Sequence, residues 1–182
     1  MLDSAVLLLR ERGAAGVTVD AVLAHSGAPR GSVYHHFPGG RNEMLLGALR
    51  EAGDYITAMV DESVAGGDVR QTVDRLVAFW KRALARTDYR AGCPVVAMAV
   101  DSRETVPDSA ELVREIFARW HVSLSKVLSA NGFPPDRAER VANLIVSALE
   151  GAIILCRARR DLTPLDDVRT EIAPLLGEQE PA

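Results

Sequence analysis

The sequence predicts an all-α protein of about nine helices, and three observations carry this prediction. Apolar residues recur at helical spacing along nearly all of the 182 residues, whereas the alternation typical of strands never persists between turn signals. Glycine and proline clusters divide the chain into segments of helical length. Apolar residues make up 48% of the chain, which is enough to bury a core and argues against long disordered regions.

Three short helices are predicted in the first 40 residues. Their predicted bounds are residues 2–12, 19–26 and 29–37. Thr18 is a suitable N-cap for the second helix, and Gly27 ends it. Pro29 starts the third helix, since proline is favoured in the first turn, and a Pro-Gly-Gly turn stops it after Phe37.

Six further helices are predicted downstream. They cover residues 42–65, a segment that follows Asp68, and residues 94–102, 108–130, 135–159 and 163–176. Asp68 with Gln71 three residues later has the form of a capping box, with Asp in place of Ser or Thr. Helical spacing then predicts the inward side chains of the fifth helix, which are Val69, Val73, Leu76, Trp80 and Leu84.

The net charge does not by itself indicate a nucleic-acid binder. The formal charge of the chain is −4, and the isoelectric point is about 5.6. The charge is unevenly divided, because residues 1–50 hold five arginines against four acids whereas the remainder is acidic. DNA binding by the N-terminal segment would therefore depend on where Arg30 and Arg41 are placed.

Enzyme, membrane and secreted classes are not indicated. The chain shows no catalytic triad order, phosphate-binding loop, dinucleotide fingerprint or metal-ligand spacing, so we predict no catalytic residue, metal or cofactor. Cys93 and Cys156 cannot form a disulfide framework, and Cys93 is interpreted as a packed thiol. The longest apolar stretch, residues 141–156, is too short and too polar to span a membrane. We therefore expect a cytoplasmic protein without a membrane partner.

The second and third helices, joined by a tight Gly-Ala turn, have the layout of a helix-turn-helix. In that motif the first helix braces the second, which enters the major groove of DNA. Val33 and Phe37 lie four residues apart and would dock the third helix onto the first two. The residues expected to face DNA are Arg30, Gly31, Ser32, Tyr34, His35 and, from the start of the fourth helix, Arg41.

These residue types suit contacts with DNA. Arg30 and Ser32 can donate hydrogen bonds to base edges or phosphates, and Gly31 removes a side chain where the helix must approach the duplex. Tyr34, His35 and Arg41 can contact phosphate oxygens. Periodicity alone also allows a three-helix unit without DNA-binding function, and Tyr34 could be an aromatic residue at the edge of the core.

The run GVTVDAVLAHSGAPRGSVYHHFPGGRNEML, residues 16–45, resembles the DNA-binding domain of TetR-family transcriptional regulators. The resemblance lies in the Thr18 start, the Ser-Gly turn, the Gly-Ser-Val-Tyr segment and the ending His-His-Phe. It implies a DNA-binding domain over residues 1–46, with Thr18 among its DNA-facing residues, and a ligand-binding and dimerisation domain over residues 47–182. Gly92-Cys93-Pro94 is similar to the LmrA/YxaF-like branch, whose members respond to small aromatic compounds.

The resemblance implies an effector pocket among the fourth to seventh helices. The candidate ligand contacts are Tyr55, Met59, Trp80, Met98, Phe117, Trp120 and His121. An enclosed apolar pocket with a few polar groups would suit a lipophilic, aromatic effector. The alternative for each of these side chains is an ordinary position in the core.

The eighth helix is apolar on more than one face, so it must be buried on several sides. The resemblance implies that the last two helices of each subunit pair in a homodimer. The candidate interface residues are Leu149, Ile153, Ile154, Leu165 and Val168. The alternative is a central helix that is fully buried in a monomer.

The sequence thus predicts a homodimeric regulator that binds a near-palindromic double-stranded DNA operator and is released by a small hydrophobic or aromatic effector. A repressor is favoured. Two other interpretations remain open: a constitutive regulator without a ligand, and an enzyme or binding protein with a vestigial helix-turn-helix.

Overall fold

The computed structural model describes residues 1–101, 106 and 108–177, and in these residues it contains nine α-helices and one 3₁₀ turn, Ala14–Gly16. The helices are α1 (Leu2–Arg12), α2 (Val19–Ser26), α3 (Ser32–His36), α4 (Gly40–Val64), α5 (Val69–Arg86), α6 (Pro94–Asp101), α7 (Ser109–Ala130), α8 (Pro135–Arg159) and α9 (Thr163–Leu175). The all-α prediction is confirmed. The predicted end of the sixth helix at Ser102 lies outside the described residues.

The helices form two compact units. The first comprises Met1–Tyr55 and Ala91–Ile116, and the second comprises Ile56–Arg90 and Phe117–Ala182. The domain boundary predicted after residue 46 does not coincide with this division, because α6 packs against α1 and the 3₁₀ turn. The uninterrupted helix α4 contributes to both units.

Local signals in the sequence account for the N-terminal helices of the first unit. The Thr18 hydroxyl accepts a hydrogen bond from the amide of Ala21 at 3.1 Å and so caps α2. Gly27 ends α2 in the left-handed conformation, with φ of 69°. The core of this unit is fully buried and includes Leu8, Leu9, Val17, Val22, Val33, Met44 and Leu45.

Helix α3 is shorter than predicted. The sequence placed its start at Pro29, whereas the structure begins it at Ser32. The Pro29 carbonyl accepts both the amide of Ser32 at 3.0 Å and its hydroxyl at 2.7 Å, so residues 29–32 form a turn. Val33 is fully buried and Phe37 is half-buried, which confirms that these two side chains dock α3 inward.

The second unit is built on mutual packing of α5, α8 and α9. Asp68 caps α5 by accepting the Gln71 amide at 2.8 Å, as predicted. All five inward side chains predicted for α5 are buried. Lys81 on α5 reaches both carboxylate oxygens of Asp166 on α9, at 2.8 and 2.7 Å, which fixes the pairing of these two helices.

Helix α8 has two different faces. Its inward face, with Val141, Ile145, Leu149, Ile153 and Cys156, is buried in the second unit. In the described part of the chain, α8 is the one helix long and apolar enough to cross a membrane: it has 25 residues, and an 18-residue window within it has a mean hydropathy of 1.7. A core helix meets the same criteria, and α8 packs against α5 and α9, so this property does not indicate a membrane protein.

Candidate functional site

The outward face of α3 is open to solvent. Tyr34 is 65% exposed, and Gly31 and His35 are also exposed. A Cβ atom added at Gly31 would meet nothing within 4 Å. These residues are therefore not part of the core of the first unit, and the contact with DNA predicted for them stays a prediction.

Arg30 is also exposed, but its guanidinium forms an ion pair with Asp20 in the first turn of α2. Both side chains are about three-quarters exposed, so the pair contributes little to folding stability. Its consequence is electrostatic: one of the few cations near α3 is neutralised by a neighbouring carboxylate.

We expect Asp20→Asn to tighten DNA binding, because it releases the Arg30 guanidinium to phosphates or bases. At low salt the affinity should rise by about threefold, and the slope of affinity against salt should steepen by up to about one unit. A fluorescence-anisotropy titration at several salt concentrations measures both. The matched control is Asp3→Asn, which removes one exposed acid from α1. Equal effects of the two substitutions would mean that the ion pair has no specific influence.

Arg41 lies at the start of α4 and is tied to the chain before α2. Its Nε donates to the Val17 carbonyl at 2.8 Å, and its Nη2 donates to the Ala14 carbonyl at 2.7 Å. Since the planar guanidinium reaches two carbonyls at once, Arg41 fixes α4 against the turn that leads into α2. The phosphate contact predicted for Arg41 stays a prediction and would fall to its remaining nitrogen, Nη1.

Two of the three predicted hydroxyl contacts, Thr18 and Ser32, are also engaged locally. The Thr18 hydroxyl oxygen accepts the Ala21 amide, and the Ser32 hydroxyl donates to the Pro29 carbonyl. Thr18 is exposed, and its hydroxyl hydrogen is not used in this cap, so it can still donate to a phosphate. Ser32 would have to exchange its bond to Pro29 for a bond to DNA.

A reciprocal pair of hydrogen bonds joins α1 to the chain that leads into α6. The Gly92 amide donates to the Arg10 carbonyl at 2.9 Å, and Arg10 Nε donates back to the Gly92 carbonyl at 3.2 Å. Burial lowers the pKa of the Arg10 guanidinium from its ordinary value, although Cys93, Tyr55 and Glu11 oppose this effect. Cys93 itself is buried, as predicted for a packed thiol.

Three of the seven predicted ligand contacts line one small cavity in the second unit. Met59, Trp80 and Trp120 surround a space of about 30 Å³. Phe117 stacks edge-on against Trp120, with 5.2 Å between ring centroids, and His121 is hydrogen-bonded at 3.1 Å to the Glu139 carbonyl. The remaining two do not join this group: Tyr55, which is exposed, and Met98, which is buried, belong to the first unit.

The residues predicted at the dimer interface divide into two sets. Leu149, Ile153 and Leu165 are at most 5% exposed, because they form the chain's own core. For these three, the structure corrects the prediction, since a side chain buried within the subunit cannot contact a partner. Val168 is half-buried, and Ile154 is 53% exposed.

The exposed face of α8 carries a further set of apolar and small residues. The α8 stripe consists of Leu144, Ser147, Gly151, Ile154 and Leu155, all of which are exposed. A Cβ atom added at Gly151 would meet nothing within 4 Å. The stripe, rather than the buried face, is therefore the surface of α8 on which another chain can pack.

Comparison with known families assigns this arrangement. Residues 1–48 match the model of the bacterial tetR regulatory proteins, and residues 70–171 match the model of the LmrA/YxaF-like transcriptional regulator C-terminal domain. The chain belongs to the TetR family. Its C-terminal half places it in the LmrA/YxaF-like branch, as Gly92-Cys93-Pro94 suggested.

Curated relatives support this TetR-family assignment, and a solved structure shares the fold. An HTH-type transcriptional regulator of Mycobacterium tuberculosis is 44% identical and covers 100% of this chain and 94% of its own. The regulator YxaF of Bacillus subtilis is 26% identical, with coverage of 98% and 94%. A TetR regulator from Legionella pneumophila has the same fold, with a TM-score of 0.84, 20% identity and coverage of 96% and 94%.

Two acidic residues of this TetR-family chain have contacts that the sequence does not predict. No local spacing links Asp20 to Arg30, so their ion pair is seen only in the structure. Glu150 lines the cavity beside Trp80 and Trp120, and in the sequence it is an acid within the apolar stretch of residues 141–156. This position stands out in the sequence, because an acid amid apolar helix positions is costly to bury.

No metal centre is evident among the residues that the structure describes, since they contain no group of three His, Cys, Asp or Glu side chains able to hold an ion. His35 and His36 are neighbours whose rings meet edge-on, with 5.1 Å between centroids.

Proposed function

We propose that this TetR-family protein is a homodimeric repressor that binds a near-palindromic operator and is released by a small apolar or aromatic effector. The observation that carries the proposal is the division of α3 into a buried docking face and an exposed face without a packing role. Two α3 helices related by a two-fold axis would read successive major grooves. Such a regulator acts in the cytoplasm and needs no cofactor.

The α8 stripe supports the homodimer. Exposed apolar residues that follow one side of a helix are typical of a surface covered by another chain. In a two-fold dimer the same stripe from each subunit would face its copy, and Gly151 would allow the helices to approach closely. Val168 on the neighbouring helix α9 is the second candidate contact.

The cavity beside Trp80 and Trp120 supports an effector site. Its volume of about 30 Å³ is far below the roughly 300 Å³ of typical ligand pockets, so an effector would have to enlarge it. An effector that enlarges the cavity and binds this altered state better would shift the population away from DNA. Helix α4 is the proposed link between effector binding and DNA binding. It starts at Arg41, which is hydrogen-bonded to the chain before α2, and it contributes Met59 to the cavity.

Selection of bound DNA from a genomic library, repeated with aromatic compounds, tests the proposal. We expect enrichment of a near-palindromic site and its loss with an effector. Absence of specific DNA at low salt would favour a vestigial helix-turn-helix. Specific DNA with no thermal shift from any compound would favour a constitutive regulator.

Tyr34→Ala should weaken operator binding by about tenfold, the loss expected for one hydrogen bond to a charged group. Because Tyr34 is 65% exposed, the melting temperature should stay close to that of the wild type. Mobility-shift titration and thermal unfolding measure the two effects. Tyr34→Phe is the control that removes the hydroxyl alone. An unchanged affinity in Tyr34→Ala would exclude this side chain from the interface.

A further inference from the structure

The cavity of the second unit holds a carboxylate among apolar walls. It is lined by Met59, Leu76, Trp80, Trp120, Val146 and Glu150, with four further apolar side chains. The Oε2 atom of Glu150 is shielded from solvent. This oxygen is therefore largely desolvated, although the residue as a whole is half-buried, and its interaction with a ligand is stronger than the same interaction in water.

The charge balance of the cavity favours one sign of ligand. Among the described residues that line it, Glu150 is ionisable, and none is lysine, arginine or histidine. A ligand carboxylate or phosphate would meet a like charge in a medium of low polarity. A protonated amine would instead meet an opposite charge, and a charge-assisted hydrogen bond is shorter and stronger than a neutral one.

The two indoles add a second preference for a cation. Trp80 and Trp120 are 4% and 3% exposed and both line the cavity. The Trp120 ring nitrogen already donates to the Thr57 hydroxyl at 2.9 Å, so this indole offers a ligand its carbon surface. The face of tryptophan attracts cations.

We propose that the effector is a lipophilic amine whose ammonium group binds the Glu150 carboxylate while its hydrocarbon part lies against Trp80 and Trp120. This inference rests on the proposed function, because it assigns the chemistry of the same effector site. The proposal also makes a negative prediction: carboxylic acids of the same shape bind more weakly than the amine and than the corresponding alcohol.

The present cavity matches the head group of such a ligand. A volume of about 30 Å³ holds a group of roughly the size of one or two water molecules. Met59, Val146 and Glu150 are half-buried, whereas most of the lining is buried, so these three residues mark the mouth. Met59 has a flexible, unbranched side chain and is the residue that can move to admit a hydrocarbon body.

The test uses three probes with the same phenyl ring and similar length: 2-phenylethylamine, 2-phenylethanol and 3-phenylpropionate. The two tryptophans of the chain both line the cavity, so intrinsic fluorescence of the intact dimer at pH 7 reports binding directly. We expect the amine to bind at least about tenfold more tightly than the alcohol, as one charge-assisted hydrogen bond allows, and the acid to bind more weakly than both.

Two variants test whether the preference for the amine probe depends on the Glu150 side chain. Glu150→Gln should lower amine affinity by about tenfold and leave alcohol affinity within about twofold. The matched control is Glu139→Gln, since Glu139 is an exposed glutamate on the same helix, and it should bind all three probes as the wild type does. The comparison of probes on the wild type needs no variant, so a poorly folded Glu150→Gln protein does not remove the test.

The inference is overturned if the alcohol or the acid binds the wild type as tightly as the amine, if no probe changes the fluorescence, or if Glu150→Gln keeps the amine preference. A parallel mobility-shift assay separates this outcome from failure of the proposed function. Release of operator DNA by the alcohol alone would keep the repressor and reject the amine. Absence of specific DNA would reject the repressor whatever the amine does.

Discussion

Arg41→Ala should lower the free energy of unfolding by about 3 kcal/mol and abolish tight operator binding at physiological temperature. The variant leaves the Val17 and Ala14 carbonyls without their guanidinium donor, and a hydrogen bond to a charged group is worth about 1.5 to 3 kcal/mol. The effect on DNA follows because α2 and α3 would lose their fixed position relative to α4. Denaturant unfolding and operator titration measure the two losses.

Arg41→Lys is the matched control, since it keeps the charge but offers a point donor in place of a planar fork. We expect it to recover less than half of the lost stability. The salt dependence distinguishes these hydrogen bonds of Arg41 from a phosphate contact. Arg41→Ala could instead keep wild-type stability while the slope of log affinity against log salt falls by about 0.9. That result would mean that the Arg41 guanidinium binds a phosphate and that its hydrogen bonds to Val17 and Ala14 are unimportant for stability.

Ile154→Glu should yield monomers and weaken operator binding by roughly 100-fold or more. The side chain is 53% exposed in the single chain, so a charge there does not disturb the subunit core. In the dimer, the introduced glutamate would lie near the same residue of the partner subunit. The α8 stripe would then bury two carboxylates close together, which opposes association. The loss in affinity follows because each reading helix would then bind its half-site alone. Light scattering gives the mass, and anisotropy gives the affinity.

Val122→Glu is the control for Ile154→Glu. Val122 is 47% exposed on α7, so the substitution adds the same charge at an apolar position of similar exposure. It should remain dimeric and bind the operator normally. A dimer that persists with Ile154→Glu would exclude the α8 stripe as the interface. Ile153 is unsuitable for this test, since it is 1% exposed and a charge there would unfold the chain.

Helix limits could be predicted where the sequence carries its own caps. Thr18, Gly27 and Asp68 each act through neighbours within four residues, so local patterns suffice. The predicted start of α3 at Pro29 was wrong, because Pro29 fits a turn as well as the first turn of a helix. The Ser32 hydroxyl favours the turn by donating a hydrogen bond to the Pro29 carbonyl. Such competition is decided by geometry that residue types alone do not show.

The candidate sites were less predictable than the helices. Arg41 reaches carbonyls 24 and 27 residues away, and Arg30 reaches an acid 10 residues away, so neither partner follows from helical spacing. On α8, the sequence showed apolar residues all round but not which stripe the subunit would use for its own core. That choice depends on the packing of α5 and α9 against it, which is a long-range property.

The open space around Gly31 has a consequence for how this regulator can diverge. The backbone of Gly31 has ordinary helical angles, with φ of −65°, and an added Cβ atom would meet no other atom within 4 Å. Stability comes from Val33 on the opposite face, so substitutions at Gly31, Tyr34 and His35 need not be compensated elsewhere. Under the proposed function, a duplicated copy of the gene could therefore acquire new target genes by changing a few residues of this face while the fold stays stable.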